Sequence, residues 1–246
     1  MKTNVCYQGD CLEVMKGIED KSIDMILADL PYGTTACKWD TIIPFEPLWE
    51  QYKRIIKDNG AIVLTAQTPY DKLLGSSNIE MLRYEWIWKK DTSTGFMNAK
   101  KMPLKEHENK LIFYKKLPNY KPQNLKPYNK TIVQSKRTNK SAYGNMGILK
   151  KIGQEYHQEY TNYPKTILNF SNEKGLHPTQ KPVALFEYLI KTYTNEGDIV
   201  LDNVAGSGTT GVACKNTNRN FILIEKDEKY CEIIKERVGC EIIKEI

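Results

Sequence analysis

Metal-ligand spacing is missing from this sequence. Its six cysteines, at positions 6, 11, 37, 214, 231 and 240, form no CxxC pair, and His107, His157 and His177 do not fall at ligand intervals. No metal is therefore expected. Also missing is any run of roughly 18 uninterrupted apolar residues, the length a membrane-spanning helix requires. The amino-terminal MKTNVCYQGDC has no long apolar stretch. No membrane partner is expected, and the chain reads as cytoplasmic with reduced thiols. The G-K-[ST] of an ATP-type phosphate loop is absent too, which argues against nucleotide hydrolysis.

What is present suits one α/β domain with an insertion. The 246 residues are 40% hydrophobic and 10% aromatic, enough for a buried sheet. The net charge of +6 is unevenly spread, because Lys116 to Phe170 holds ten Lys or Arg against Glu155 and Glu159 alone. That window carries +8 and leaves the rest of the chain at −2. Segregation of this kind suits a polyanion, whose condensed counterions are released by cationic side chains. The same window holds six tyrosines and few long apolar runs, so residues 117–170 read as a basic insertion, with 1–116 and 171–246 forming the main domain.

Short apolar runs bounded by polar residues mark buried parallel strands at Ile23–Ala28, Ala61–Thr65, Ile199–Leu201 and Phe221–Ile224. Further strands are expected at Glu85–Lys89 and Lys110–Lys115, with Asn4–Tyr7 an edge-like segment. Helical spacing of apolar residues predicts helices over Phe45–Lys57, Lys181–Thr194, Thr209–Lys215 and Asp227–Val238. Asn59-Gly60 is expected to break the first of these. Helix, turn and strand repeating in this way builds a parallel layered sheet, which binds ligands at the carboxyl ends of its strands.

Two constellations lie at such ends. Asp202-Asn203-Val204-Ala205-Gly206-Ser207-Gly208-Thr209-Thr210 follows one strand, and Glu225 ends the next. Glycines there let backbone approach a ligand closely, and an acid on the following strand can accept from both ribose hydroxyls. Gly206, Gly208 and Gly211 satisfy G-x-G-x-x-G, so a dinucleotide-binding dehydrogenase remains open on spacing alone. The second constellation is Asp29-Leu30-Pro31-Tyr32. A carboxylate and a backbone carbonyl can take the two N–H bonds of an exocyclic amine and favour its tetrahedral, nucleophilic form. Proline fixes the backbone without adding a competing N–H, and Tyr32 can stack on a base turned out of a duplex.

Taken together these motifs resemble the family of DNA amino-methyltransferases that modify adenine N6 or cytosine N4, in its circularly permuted class, where the catalytic motif precedes the cofactor motif. Asp29 to Tyr32 matches a D-P-P-Y-like catalytic motif with leucine for the first proline. Asp202 to Thr210 matches D-x-F-x-G-S-G-T-T with Asn203-Val204 as a departure. His177-Pro178-Thr179-Gln180-Lys181-Pro182 matches an H-P-T-Q-K-P signature, and Gly9-Asp10-Cys11 is similar to the G-D motif beside the cofactor's adenine.

The resemblance implies a Rossmann-like fold: a mostly parallel seven-stranded sheet with helices on both faces. It implies S-adenosylmethionine as cofactor, with S-adenosylhomocysteine as product, held by Asp10, Cys11, Lys181, Asp202, Ala205, Gly206, Ser207, Gly208, Thr209, Thr210 and Glu225. Asp29, Leu30, Pro31 and Tyr32 become the catalytic residues, and double-stranded DNA the partner. Target recognition falls to the insertion, with Lys136, Arg137 and Lys140 on phosphates and Asn139 and Tyr143 toward bases. A homodimer and a cognate restriction enzyme are further partners it admits. Aspartate at the first catalytic position favours adenine over cytosine. Methylation of RNA or of a glutamine amide, and a noncatalytic nucleic-acid-binding module, are the other readings. No cysteine nucleophile is needed, so Cys37 is expected to be structural. Trp39 and His107 are expected near the target pocket or in the core.

Overall fold

A computed structural model describes residues 1–33, 40–133, 155–173 and 180–244. The described chain divides into two compact units, residues 1–121 with 166–246, and residues 122–165. Residues 117–121 and 166–170, inside the basic window, thus lie in the first unit.

The first unit holds a sheet of nine strands among the described residues, not seven. In chain order its strands are β1 (Val5–Gln8), β2 (Ile23–Ala28), β3 (Ile56–Ala66), β4 (Leu82–Thr94), β5 (Lys105–Phe113), β8 (Ile167–Asn169), β9 (Ile199–Asp202), β10 (Asn220–Glu225) and β11 (Glu241–Lys244). They lie side by side as β11-β1-β10-β9-β2-β3-β5-β4-β8, with β5 antiparallel to β3 and β4 and every other pairing parallel. Asn4–Tyr7 is therefore no edge, because β11 pairs alongside β1 and takes that position. The signal for β11, two isoleucines between charges, is too short to read as periodicity. Nor does the chain break at Asn59-Gly60: α2 (Phe45–Ile55) ends earlier and β3 begins at once with Ile56.

Alternation of side chains across the strands makes two cores. Val5, Ile26, Ile62 and Leu64 face α1 (Cys11–Lys16), α2 and α3 (Tyr70–Ser77), packing against Val14, Leu48, Tyr52 and Leu74. Their neighbours Cys6, Leu27, Val63 and Leu223 face α4 (Val183–Tyr193), α5 (Thr209–Asn216) and α6 (Glu228–Val238), against Leu189, Ala213 and Ile234. A sheet buried on both faces explains the unbroken apolar runs of β2 and β10. Each fully buried Leu, Ile or Val contributes roughly 1.5–3 kcal/mol of transfer free energy. Among the described residues no helix is long and apolar enough to cross a membrane.

The second unit is an antiparallel ribbon of β6 (Lys126–Val133) and β7 (Glu155–Thr161), almost wholly exposed. Lys136, Arg137, Asn139, Lys140 and Tyr143, expected to meet DNA, lie outside the described residues, as do Cys37, Lys38, Trp39 and His177-Pro178-Thr179.

Candidate active site

Three parallel strands bring the sequence motifs to one edge of the sheet. β2 pairs with β9 through Met25–Val200 and Ile26–Leu201, and β9 with β10 through Asp202–Leu223. Their carboxyl ends deliver Asp29, Asp202 and Glu225 to the rim of one cavity of about 990 Å³. That volume is at the upper end for small-molecule sites, and suits a nucleoside-sized ligand together with a second planar group.

On one side the acids are held by backbone and hydroxyl donors. Glu225 accepts the Gly206 N–H on Oε2 at 2.7 Å and the Lys226 and Asp227 N–H groups on Oε1 at 2.9 Å. Burial raises its pKa against the pull of these bonds. Asp202, nearly fully buried, takes the Thr210 hydroxyl on Oδ2 and the Val204 N–H on Oδ1. Burial pushes its carboxyl up to about 7. Asp10 caps α1 by accepting the Leu12 N–H at 3.0 Å, and also meets Lys226 Nζ at 3.2 Å. Cys11 lines the cavity beside it, its thiol pushed up to about 11, chiefly by burial. Arg237 of α6 reaches back to the Ser207 carbonyl and hydroxyl and to the Thr209 hydroxyl, fixing the glycine loop from behind.

The loop's glycines divide the work. A Cβ on Gly206 (φ +53°) would meet nothing within 4 Å, leaving open space beside the cavity, whereas one on Gly208 (φ +80°) would strike Val238 Cγ2 at 2.8 Å. Gly208 therefore serves packing against α6. It does not line the cavity, and neither does Thr210, whose hydroxyl is turned onto Asp202. Asp10, Cys11, Lys181, Asp202, Ala205, Gly206, Ser207, Thr209 and Glu225 all do.

The other side is built from ion pairs. Asp29 Oδ1 accepts the hydroxyls of Tyr32, at 2.8 Å, and of Thr65 from β3, while Oδ2 receives Lys181 Nζ at 2.7 Å. Lys181 also reaches Glu108 at 3.4 Å, so this lysine, expected with the cofactor residues, bridges the Asp29 and Glu108 carboxylates. Glu108 collects Lys90 at 2.6 Å, Lys110 at 3.1 Å and the Gln67 amide at 2.9 Å. Burial pushes the Glu108 carboxyl up, but Lys110, Lys181 and Lys90 outweigh it and hold the group well below the usual carboxylate range. Burial likewise lowers Lys181, yet Asp29 and Glu108 more than restore it and its pKa ends raised.

Tyr32 lines the cavity with one ring face stacked on Tyr70, centroids 5.1 Å apart. Burial and then the charge of Asp29 push its phenol well above 10, so it donates. Leu30 and Pro31 also line the cavity, and the turn after Asp29 is closed by the Gly33 N–H on Asp40 Oδ1 at 2.8 Å.

Glu108, Lys90, Lys110, Gln67 and Thr65 carry no motif that pointed to them. A signal did exist: alternation along β5 makes adjacent residues face opposite ways, and charges at 108 and 110 on a strand with an apolar continuation are costly unless paired. His107, by contrast, is exposed and does not line the cavity.

The cofactor side fits a nucleoside bearing a cationic sulfonium. Three donors fix Glu225 and leave one of about four acceptor sites open. Asn203 Nδ2 is buried without a hydrogen-bond partner among the described residues. No lysine or arginine among them pairs with Asp202 or Glu225, which leaves negative potential for a cation.

A family model described as DNA methylase matches residues 23–236. The chain is similar to the DNA adenine methyltransferase YhdJ of Escherichia coli (strain K12), with 30% identity over 244 residues covering 92% of this chain and 79% of that protein. It is also similar to the Type II methyltransferase M2.MboI of Moraxella bovis, with 26% identity over 258 residues covering 94% and 86%. Among solved structures, the M1.HpyAVI–SAM complex gives a TM-score of 0.64 at 26% identity, covering 95% of this chain and 98% of that one.

Proposed function

The chain belongs to the family of DNA methylases that act on adenine N6 or cytosine N4, and from that premise we propose that it methylates adenine N6 at a specific site in double-stranded DNA. Its cofactor is S-adenosylmethionine. The observation that carries the proposal is the Asp29 carboxylate standing at the strand end beside Asp202 and Glu225, inside one cavity. Aspartate in that position favours adenine, and so does the similarity to a relative named as an adenine methyltransferase.

When bound, the cofactor supplies a methyl group on a sulfonium. The protein's part is alignment and charge. Lys181, Tyr32 and Thr65 fix the Asp29 carboxylate and leave one of about four acceptor sites for an amine N–H. Leu30 lines the cavity, and on this reading its carbonyl is the second acceptor. Holding the amine in this way removes much of the orientational cost of a bimolecular transfer. It also stabilises the positive charge that grows on nitrogen. Asp29 need not be a strong base, since the amine becomes acidic only as it gains its methyl, and its proton then passes to the Asp29 carboxylate or to water. Tyr70 stacks on one ring face of Tyr32, and on this reading a base takes the other.

On this reading the catalytic motif precedes the cofactor motif as in the permuted class, and the basic residues 117–170 recognise the target. The protein works in the cytoplasm, and self-association and pairing with a restriction enzyme are parts of the same proposal. The test is chemical: tritiated cofactor is incubated with the protein and duplex DNA, and the labelled nucleoside is identified. Label in N6-methyladenine is expected. Label in N4-methylcytosine selects the runner-up, in which the same geometry serves cytosine. Label only in RNA or protein, or cofactor binding without transfer, overturns both.

A further inference from the structure

A cluster of exposed apolar side chains in the first unit lies outside the cavity lining, between β4 and β5. Every residue from Asp91 to His107 is exposed. The strands run on as a projecting ribbon, paired at Lys89–His107 and again at Thr94–Lys105. Its tip is a short 3-10 turn, Phe96–Asn98, closed by the Asn98 N–H on Gly95 O at 2.9 Å and the Ala99 N–H on Phe96 O at 3.0 Å. At this tip Phe96 is 82% and Met97 98% exposed, with Met102 and Leu104 exposed behind them. Elsewhere in the unit exposed large apolar residues such as Leu73, Ile79 and Leu117 are separated in sequence. A clustered apolar tip on a hydrogen-bonded turn marks an interaction surface.

Its surroundings specify the partner. Along the ribbon from Asp91 to His107, Lys100, Lys101 and Lys105 lie between Asp91 and Glu106, and Glu106 is paired with Lys89 at 3.5 Å. The three lysines behind the tip, with no acid between Thr92 and Lys105, favour a polyanion there. Lysines alone would serve phosphates. Phe96 and Met97 gain only in a dry apolar environment, and on a nucleic acid that environment is the space between stacked bases. The same two strands reach the cavity on the way to the tip, where Trp88, Lys90, Glu108 and, two residues before Phe96, Thr94 line it.

We infer that Phe96 and Met97 form a wedge that enters the duplex beside the target base and fills the gap left when that base turns into the cavity. The inference rests on the reading of the chain as a DNA methyltransferase. It assigns to this turn the interactions that offset lost stacking.

The test uses the full-length protein and its F96A/M97A variant. Both side chains are exposed, so folding is expected to be unchanged, checked by thermal midpoint and by cofactor affinity. The target site is first mapped as the sequence in which the wild-type protein deposits label. A duplex with 2-aminopurine at the methylated position then reports unstacking as increased fluorescence. The wild type is expected to brighten the probe and the variant not to, with its methylation rate lower by on the order of tenfold. A mismatch opposite the target base, which lowers the opening cost, is expected to restore much of that rate. Equal brightening and equal rates would overturn the wedge while leaving the methyltransferase reading intact. A variant changed only in self-association would overturn it in favour of a contact between copies. If the wild type labels no DNA, the reading beneath the inference fails.

Discussion

Asp202 and Glu225 on one side of the cavity and Asp29 and Glu108 on the other are acids at neighbouring strand ends held by opposite means. The first pair is satisfied by backbone N–H groups and a hydroxyl, and burial raises both. Lysines hold the second pair: Lys181 on Asp29, and Lys90, Lys110 and Lys181 around Glu108. The difference matches the charge each side receives. On the proposed function a cationic sulfonium is received on the side of Asp202 and Glu225, whereas the base received beside Asp29 is neutral and its amine becomes positive only briefly. A carboxylate that awaits a neutral ligand must be stable without it, and internal lysines provide that stability.

The comparison breaks most visibly if the two sides cannot be separated by mutation. Asp29→Ala is expected to lower the transfer rate at saturating cofactor by on the order of a thousandfold, with cofactor affinity within about twofold of wild type. Glu225→Ala is expected to do the reverse, weakening cofactor binding by roughly tenfold to a hundredfold with most of the saturated rate retained. Equilibrium dialysis and single-turnover label transfer measure the two quantities. If both variants lose both properties alike, the cavity is one electrostatic unit and the division is wrong.

Lys181 sharpens the boundary, because its motif placed it with the cofactor and its Nζ lies 2.7 Å from Asp29. Lys181→Met keeps the length of the side chain and removes the bridge between the half-buried Asp29 and the buried Glu108 carboxylates. The rate is expected to fall by on the order of a hundredfold while cofactor affinity stays near wild type. An equal loss of cofactor affinity would return Lys181 to the other side.

The sequence was legible where chemistry or burial repeats a pattern. The apolar runs of β2, β9 and β10 reveal themselves because both sheet faces are covered, and Asp29 and Glu225 follow as the polar residues that end such runs. Gly206 and Gly208 look alike in a motif but differ in space, one beside open cavity and one against Val238. That distinction is tertiary and invisible to spacing. Glu108 was hidden for another reason: apart from Lys110, two residues along β5, its partners come from the residue after β3, from β4 and from the loop before α4, at separations no local window spans. The short strands β8 and β11 carry too few residues to show alternation and exist because an edge of the sheet is available to pair with.

The smallest effect expected is also the most particular to the lysine-held side. Lys110 is fully buried, 3.1 Å from Glu108 and 5.2 Å from the centre of the Trp88 ring. Burial lowers its pKa from the ordinary 10.5 to about 8, against the opposing pull of Glu108. Between those two values the folded chain has released this proton while the unfolded chain still holds it. The unfolded state binds more protons there, so stability from this group rises with pH across that window. Lys110→Met removes the slope while keeping an apolar side chain of similar length over Trp88. Relative to the variant, the wild type is expected to gain stability from pH 8 toward 10.5, read as a difference in thermal midpoints that shifts by a few degrees. Parallel curves for the two proteins would mean that Lys110 titrates near its ordinary value. The Glu108 cluster would then keep its third positive charge through the window from pH 8 to 10.5 rather than lose it there.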